Sequence, residues 1–561
     1  MANEGKWEKQ ELKRALVELR QLDPGHEVFT SGDLSTPTNA QRLSYLCDAR
    51  GVATVFRIPV SVGSGVPGIS VRQSPPMFHP GPMTRLVSAD HIHIGTLPNG
   101  AAESLPISVF NRHALITGFT GTGKTVTTMY LLDQFGAGEP DPEVCPHRIA
   151  GTERRAPIPF LVIESTKTEY RQLMRRRYPW RQVQVITVGD ESSRPLRLNP
   201  FQLLPGVRLE SHIRRLMACF EASMSEHFAM PALLTNALYE SYWETLQLEE
   251  EVPRRSELAT YVGKPLSEAP GVMYPTLRLF ILKLEEAAAK LSYQGELKGN
   301  VLGAIDARIR HWITEGSSKA AMFDTMNPLD TELLFNSPCV LELDALNEKD
   351  RALLTMFVLV FLREYMECVS RGTLTPEVPS AFAGAQIDHG VRHITVIEEA
   401  HNVMENLSRP GSTEVQSGER YYAVRSLANM IAEVRAYGEA IIIADQSPNR
   451  LAADARRNTA ISLTHQLRDT DDRETIGKAC LMTDGQLRYL AKAPVGMASF
   501  YAAGREGPTF VRVPDFRRLG LQNPKSARWV SFESDDSASA ETERIEREIR
   551  QRAVTWKAGK V

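Results

Sequence analysis

The chain has 561 residues, 42% of them hydrophobic and 24% charged, with 37 Gly and 34 Pro. That length holds roughly three or four domains of ordinary size, and that composition excludes the fibrous, low-complexity and disordered classes. A formal net charge of -3 excludes a broadly basic exterior that coats nucleic acid, so any DNA contact would run through a local patch or an internal channel.

No apolar run reaches the ~20 residues needed to cross a bilayer. The longest, LLTMFVLVFL from Leu353, reads as a buried core element. The N-terminus is charged and lacks the apolar stretch of a signal peptide, so the expected location is cytoplasmic, with no membrane partner. Six cysteines (Cys47, Cys145, Cys219, Cys339, Cys368, Cys480) stand singly with no CxxC pair, which argues against a disulfide framework and against a zinc site.

In chain order, Trp7 to Leu22 carries Leu12, Ala15, Leu16 and Leu19 at helical spacing, so residues 1–50 are expected to form a helical arm. Short β-like runs broken by Gly and Pro follow (ATVFRIPVSV, PGISVRQ, TRLVSADHIHIG, LPISVF), which suggests a small β-barrel or sandwich over 51–110, suited to assembly or partner docking. Strands at Ala114–Thr117, Phe160–Glu164 and Val183–Val188 alternate with helical patterns, as in a parallel sheet with crossover helices. Helix-period segments fill 205–323 (HIRRLMACFEASM, ALLTNALYESYWETL, LRLFILKLEEAAAKL, VLGAIDARIRHWI), and strand runs return at Cys339–Leu343, Ile394–Ile397, Ala440–Ala444 and Ile461–Leu467. The spacing therefore predicts one α/β core over 111–204 and 324–515, interrupted by a helical insertion. Met497–Val513 reads as a hairpin at the rim, and 516–561 as a linker with a charged terminal helix.

The stretch GFTGTGKT, between an apolar strand and a helix, has the pattern of a phosphate loop. Gly118, Gly121 and Gly123 let the backbone curl so that N–H groups of the loop, including Thr120 and Thr122, face phosphates at a helix N-terminus. Lys124 would neutralise the β and γ phosphates of ATP, and Thr125 would offer its hydroxyl to Mg2+. In HITVIEEAH a strand delivers two acids to the sheet edge where phosphates sit. Glu399 would polarise the attacking water and Glu398 would hold Mg2+; a strand running into an acidic helix start is the competing explanation. The next strand, AIIIADQSP, ends in Asp445 and Gln446, whose amide can bond both phosphate oxygen and water or merely cap a turn. Arg175, Arg176 and Arg177 in YRQLMRRRYPWRQ, together with Lys167, are candidate DNA contacts through phosphates; a solvated helix face or subunit salt bridges would use the same residues.

Taken in order, HALITGFTGTGKT, FLVIESTKTEYRQL, LRLNPF (Leu196–Phe201), ITVIEEAHN, IAEVRAYGEAIIIADQSP and NTAISLTHQLRDTDDR resemble the HerA/FtsK group of P-loop motor ATPases, and within it the HerA-like branch. The likeness runs from about Asp90 to Val513. It implies a RecA-like P-loop ATPase core with a small N-terminal β-barrel, assembled as a homo-hexamer that hydrolyses ATP with Mg2+ at subunit interfaces and moves double-stranded DNA through a central channel. It also implies that Arg435, in EVRAYGE, completes a neighbouring subunit's site, with Arg468 and Arg473 as weaker candidates. HerA-like proteins characteristically act with a nuclease in DNA end processing, or with an effector enzyme in defence against phage. The alternatives are a nucleotide-regulated scaffold that assembles and activates an effector, or a conjugation or packaging motor. Two departures stand out: Glu398-Glu399 replaces the Asp-Glu of many relatives, and ESTKTEY replaces an Asp-Pro-His-Gly-Glu-Tyr-like segment around Lys167 and Glu169.

Overall fold

Strands that are apolar at every position, without alternation, need cover on both faces, and this decides the architecture. The computed structural model describes residues 90–138, 155–191, 194–224, 230–245, 274–290, 303, 309–327, 329–378, 390–406 and 418–520. The expected N-terminal arm, the expected barrel as far as residue 89, and the C-terminal linker and helix beyond residue 520 lie outside the described residues.

One sheet of eleven strands organises the rest. Its strands are β1 (His91–Thr96), β2 (Ala102–Pro106), β3 (Ala114–Thr117), β4 (Phe160–Glu164), β5 (Gln184–Thr187), β6 (Cys339–Glu342), β7 (His393–Glu398), β8 (Glu439–Asp445), β9 (Ile461–Thr464), β10 (Met497–Ala502) and β11 (Thr509–Arg512). They lie in the order β2-β1-β11-β10-β9-β3-β8-β7-β4-β6-β5. From β9 to β5 all pairings are parallel; from β9 back to β2 they are antiparallel. Every residue of β3, β4, β6 and β8 is buried, as a sheet covered on both sides requires.

Successive side chains of a strand face opposite ways, and two cores result. Leu115, Ile163, Leu341, Ile397 and Ile443 face one core; Ile116, Val162, Val340, Val396 and Ile442 face the other. The second is closed by α1 (Lys124–Ala137), which buries Tyr130, Leu131 and Phe135. The first is closed by α2 (Leu209–Met224), α3 (Met230–Thr245), α4 (Leu277–Ala289), α5 (Glu348–Arg371) and α6 (Gly418–Val434). The apolar run from Leu353 is thus the buried stripe of α5, and no described helix is long and apolar enough to cross a membrane. The helices of the expected insertion share that core: α2 is fastened to α5 through buried Glu364, whose carboxylate lies 2.9 Å from His212 Nδ1 and accepts from Arg215 at 2.7 Å. Cys219, Cys339, Cys368 and Cys480 are free and buried.

Two expectations change. His91–Pro106, assigned from the sequence to the end of the barrel, is the edge hairpin of the main sheet, because Ile92, Ile94 and Leu105 bury against the same core as α1. The β10–β11 hairpin forms as expected but lies inside the sheet, flanked by β9 and β1.

Candidate functional site

The loop between β3 and α1 makes two tight demands on its backbone. A Cβ at Gly118 would stand 2.6 Å from His465 Cβ, and Gly123 has φ 115°, a conformation open to glycine at little cost. Thr122 turns its hydroxyl back to the Phe119 carbonyl at 2.7 Å, and Lys124 Nζ donates to the Gly118 carbonyl at 2.7 Å. The loop is therefore already curled, with its lysine held by a backbone oxygen that an incoming phosphate can replace. Burial pulls the Lys124 pKa down, while the carboxylates Glu399, Glu398 and Asp445 pull it up. Behind the loop, His465 pairs through Nε2 with Thr127 Oγ1 at 2.9 Å; burial first and the Lys124 charge second lower its pKa to about 4. A neutral imidazole is thus the floor of the loop.

Parallel register sets the carboxylates at one edge, since Glu164 is level with Glu342 and Glu398 with Ala444. Glu399 follows β7 in a left-handed turn, φ 49°, an unfavourable backbone for a residue with a Cβ. Its Oε1 accepts from Gln446 Nε2 at 2.5 Å, and Gln446 Oε1 accepts from Thr120 Oγ1 at 2.8 Å. An unbroken chain Thr120–Gln446–Glu399 therefore joins phosphate loop, strand-end amide and carboxylate. Glu398 accepts from the Tyr170 hydroxyl at 2.9 Å; burial, reinforced by Glu399 and Glu169 and opposed by Tyr170 and Lys124, raises its pKa to about 7. Glu164 is fully buried with Oε2 lacking a hydrogen-bond partner, and burial followed by the Glu398 charge raises its pKa to about 9. Asp445 is spoken for: Oδ2 accepts from the His401 backbone at 3.0 Å and lies 2.9 Å from His401 Nδ1.

One cleft gathers Thr120, Lys124 and Thr125 with Glu398, Glu399 and Gln446. The residues expected for Mg2+, Thr125 and Glu398, both line it, and the crowding of Glu398 by other carboxylates beside an unpartnered buried Glu164 oxygen suits a divalent cation chemically. Arg435 is not in the cleft. It is exposed in the turn before β8, and the 7 residues of that strand, roughly 23 Å at 3.3 Å each, separate it from Gln446 in its own chain. Arg473 is engaged with the Leu467 carbonyl and the Thr470 hydroxyl, and Arg468 lies over the Phe119 ring at 4.4 Å.

The basic cluster divides. Arg176 as a DNA contact is corrected: it is buried, and its Nε and Nη2 each donate to Asp133 at 2.6 Å. Arg171 likewise forks onto Glu342 at 2.6 and 2.8 Å. Lys167 lines the same cleft, where it pairs with Glu169 at 3.3 Å. Arg175 is half-buried and reaches the Arg517 carbonyl at 3.4 Å, whereas Arg177 is exposed.

Four residues in or beside the cleft carry no functional signal in the sequence. Tyr170 and His465 stand inside the quoted segments TEY and THQ, but no spacing rule gives a buried phenol or imidazole its partner. Glu164 reads in the sequence only as a strand end. Arg517 lies beyond β11 and reaches the cleft through the fold alone.

Sheet, loop and cleft define an α/β protein that carries a phosphate-loop pattern and its carboxylates at one edge of a largely parallel sheet. Residues 92–140 match the family model described as helicase HerA-like, C-terminal, so the resemblance to the HerA-like branch is borne out across β1 to α1 and the phosphate loop. No curated protein matches the sequence. Among solved structures, the chain is similar to VirB4 of Thermoanaerobacter pseudethanolicus, at 18% identity over 75% of this chain and 96% of that one, TM-score 0.49. It is also similar to the plasmid coupling protein TrwB in complex with ADP and Mg2+, at 12% identity over 78% and 97%, TM-score 0.44. A third is the genome packaging NTPase B204 of Sulfolobus turreted icosahedral virus 2, at 10% identity over 36% and 79%, TM-score 0.22.

Proposed function

We propose that the protein is an ATPase that couples hydrolysis to movement of double-stranded DNA through a homo-hexameric ring. The observation that carries the reading is the hydrogen-bonded chain from Thr120 through Gln446 to Glu399. It gives one amide simultaneous contact with the phosphate loop and with the carboxylate suited to activate water, so arrival or loss of a γ-phosphate would be felt at both ends. Lys124 binds the phosphates, exchanging the Gly118 carbonyl for phosphate oxygens; Glu399, positioned by Gln446, accepts the proton of the attacking water. Thr125 and Glu398 would hold Mg2+, which neutralises phosphate charge when bound.

Arg435 is proposed to act on the adjacent subunit. An exposed arginine at the far end of β8 cannot serve its own cleft, and arginines supplied in trans stabilise phosphoryl transfer in related chemistry. Arg177 and the half-buried Arg175 remain candidate DNA contacts, Arg176 being excluded by its burial. The effector would be a nuclease or another enzyme, in DNA end processing or antiviral defence. ATP-driven displacement of a third strand from a DNA triplex tests the motor. Wild type should displace it and Glu399→Gln should not; binding and hydrolysis without displacement would leave the scaffold reading in its place.

A further inference from the structure

The phosphate-binding half of the cleft is accounted for, but Arg517 and Val495, which also line it, have no part in that half. Both come from the open end of the β10–β11 hairpin. Val495 immediately precedes Gly496, whose N–H donates to the Thr122 carbonyl at 3.2 Å and whose carbonyl accepts from the Val513 N–H at 2.9 Å. That pairing pins the hairpin to the phosphate loop. Phe516 is fully buried in the core shared with α1, which fixes the short helical turn Phe516–Arg518 against α1. Asp515 then locks the Arg517 guanidinium, accepting from Nε at 3.0 Å and from Nη2 at 3.2 Å.

Direction along the nucleotide follows from the loop. Lys124 reaches the β and γ phosphates, with backbone N–H groups on the α and β phosphates, and Glu399 with Gln446 marks the γ end. Val126, one residue beyond the metal-binding hydroxyl, lines the cleft as well and marks the opposite end. Glu169 lines that cleft too and pairs with Lys167 as Asp515 pairs with Arg517, so both cations already have counter-ions without a further phosphate. The surroundings suit an uncharged ring: an apolar side chain 66% exposed at Val495 and a planar cation whose orientation is fixed. Flat guanidinium groups stack on aromatic π-faces.

We propose that Arg517 and Val495 form the nucleoside end of the site, with the base of a nucleoside triphosphate packed against the Arg517 guanidinium and the Val495 side chain. The inference rests on the nucleotide-binding reading above and adds a cis contact made by the segment after β11. Isothermal titration with MgATP and with magnesium tripolyphosphate, which has no nucleoside, tests it. Arg517→Ala should raise the Kd for MgATP by about tenfold, a typical worth of a partly desolvated cation–π contact, and leave tripolyphosphate within about twofold. Val495→Ser should show the same selectivity, and unchanged unfolding temperatures would exclude misfolding. Unaltered MgATP affinity in Arg517→Ala, or equal weakening of both ligands, would overturn the proposal. If wild type bound neither ligand, or Lys124→Ala bound both as well as wild type, the nucleotide-site reading would fall with it.

Discussion

Replacing Arg176 by Met would separate a structural arginine from a DNA-binding one. The side chain is 1% exposed, as is Asp133, and two parallel N–H donors meet the two carboxylate oxygens at 2.6 Å each. Asp133 is on α1, the phosphate-loop helix, and Tyr178, also buried, interacts with it. Methionine keeps most of the volume but leaves the Asp133 charge without its counter-ion, and breaking a buried pair in this way costs about 3–5 kcal/mol. For a protein of this size the unfolding temperature should fall by several degrees. The double variant Arg176→Met with Asp133→Leu removes both charges and should regain most of that loss, since apolar replacements of buried pairs are often neutral. Thermal unfolding of the single and double variants, with duplex affinity measured well below the transition, is the assay. Arg176→Met with native stability and lost duplex binding would refute the structural assignment.

Three other outcomes follow from the cleft. Gln446→Leu should lower kcat for ATP hydrolysis by about a hundredfold, the scale of losing one oriented polar group, with KM changed by no more than about threefold; steady-state kinetics at saturating Mg2+ would show it, and a collapse of KM alone would contradict the positioning role. Glu164 has its pKa raised from 4.5 to about 9, chiefly by burial, so between those values the native state holds a proton that the unfolded state has lost. Stability of the nucleotide-free protein should fall as pH rises from about 5 to about 9, by at most ~1.4 kcal/mol per pH unit from this group, and Glu164→Gln should flatten the profile; parallel melting curves across pH would remove the argument. Finally, Lys124→Ala and Arg435→Ala should each be inactive alone, yet mixed subunits should regain hydrolysis, because an intact loop can then meet a neighbour's intact arginine. Failure of every mixture would place Arg435 outside catalysis.

What could be read before folding was whatever local pattern dictates. The β3 loop, the acids closing β7 and the amide closing β8 are each set by a strand end, and register then delivers them to one edge without further information. The sequence groups the hairpin 91–106 with the barrel because short antiparallel strands look alike whichever sheet they join; only the shared burial of Ile92 and Ile94 with α1 decides it. The arginine run misled for a similar reason. Arg171, Arg175 and Arg176 are neighbours in sequence, but a 3-10 turn over Glu169–Arg175 sends them to Glu342, to the Arg517 carbonyl and to Asp133. Partners 43 and 171 residues away leave no trace in a linear pattern. Arg517 was hidden by the same long-range closure.

The most direct measurement is steady-state ATP hydrolysis with and without duplex DNA, for wild type and for Glu399→Gln. A motor of the kind proposed hydrolyses ATP, is accelerated several-fold by duplex, and in Glu399→Gln binds MgATP with near-native affinity while turning it over at least about a hundredfold more slowly. Hydrolysis indifferent to duplex DNA, or a Glu399→Gln variant as fast as wild type, would contradict it.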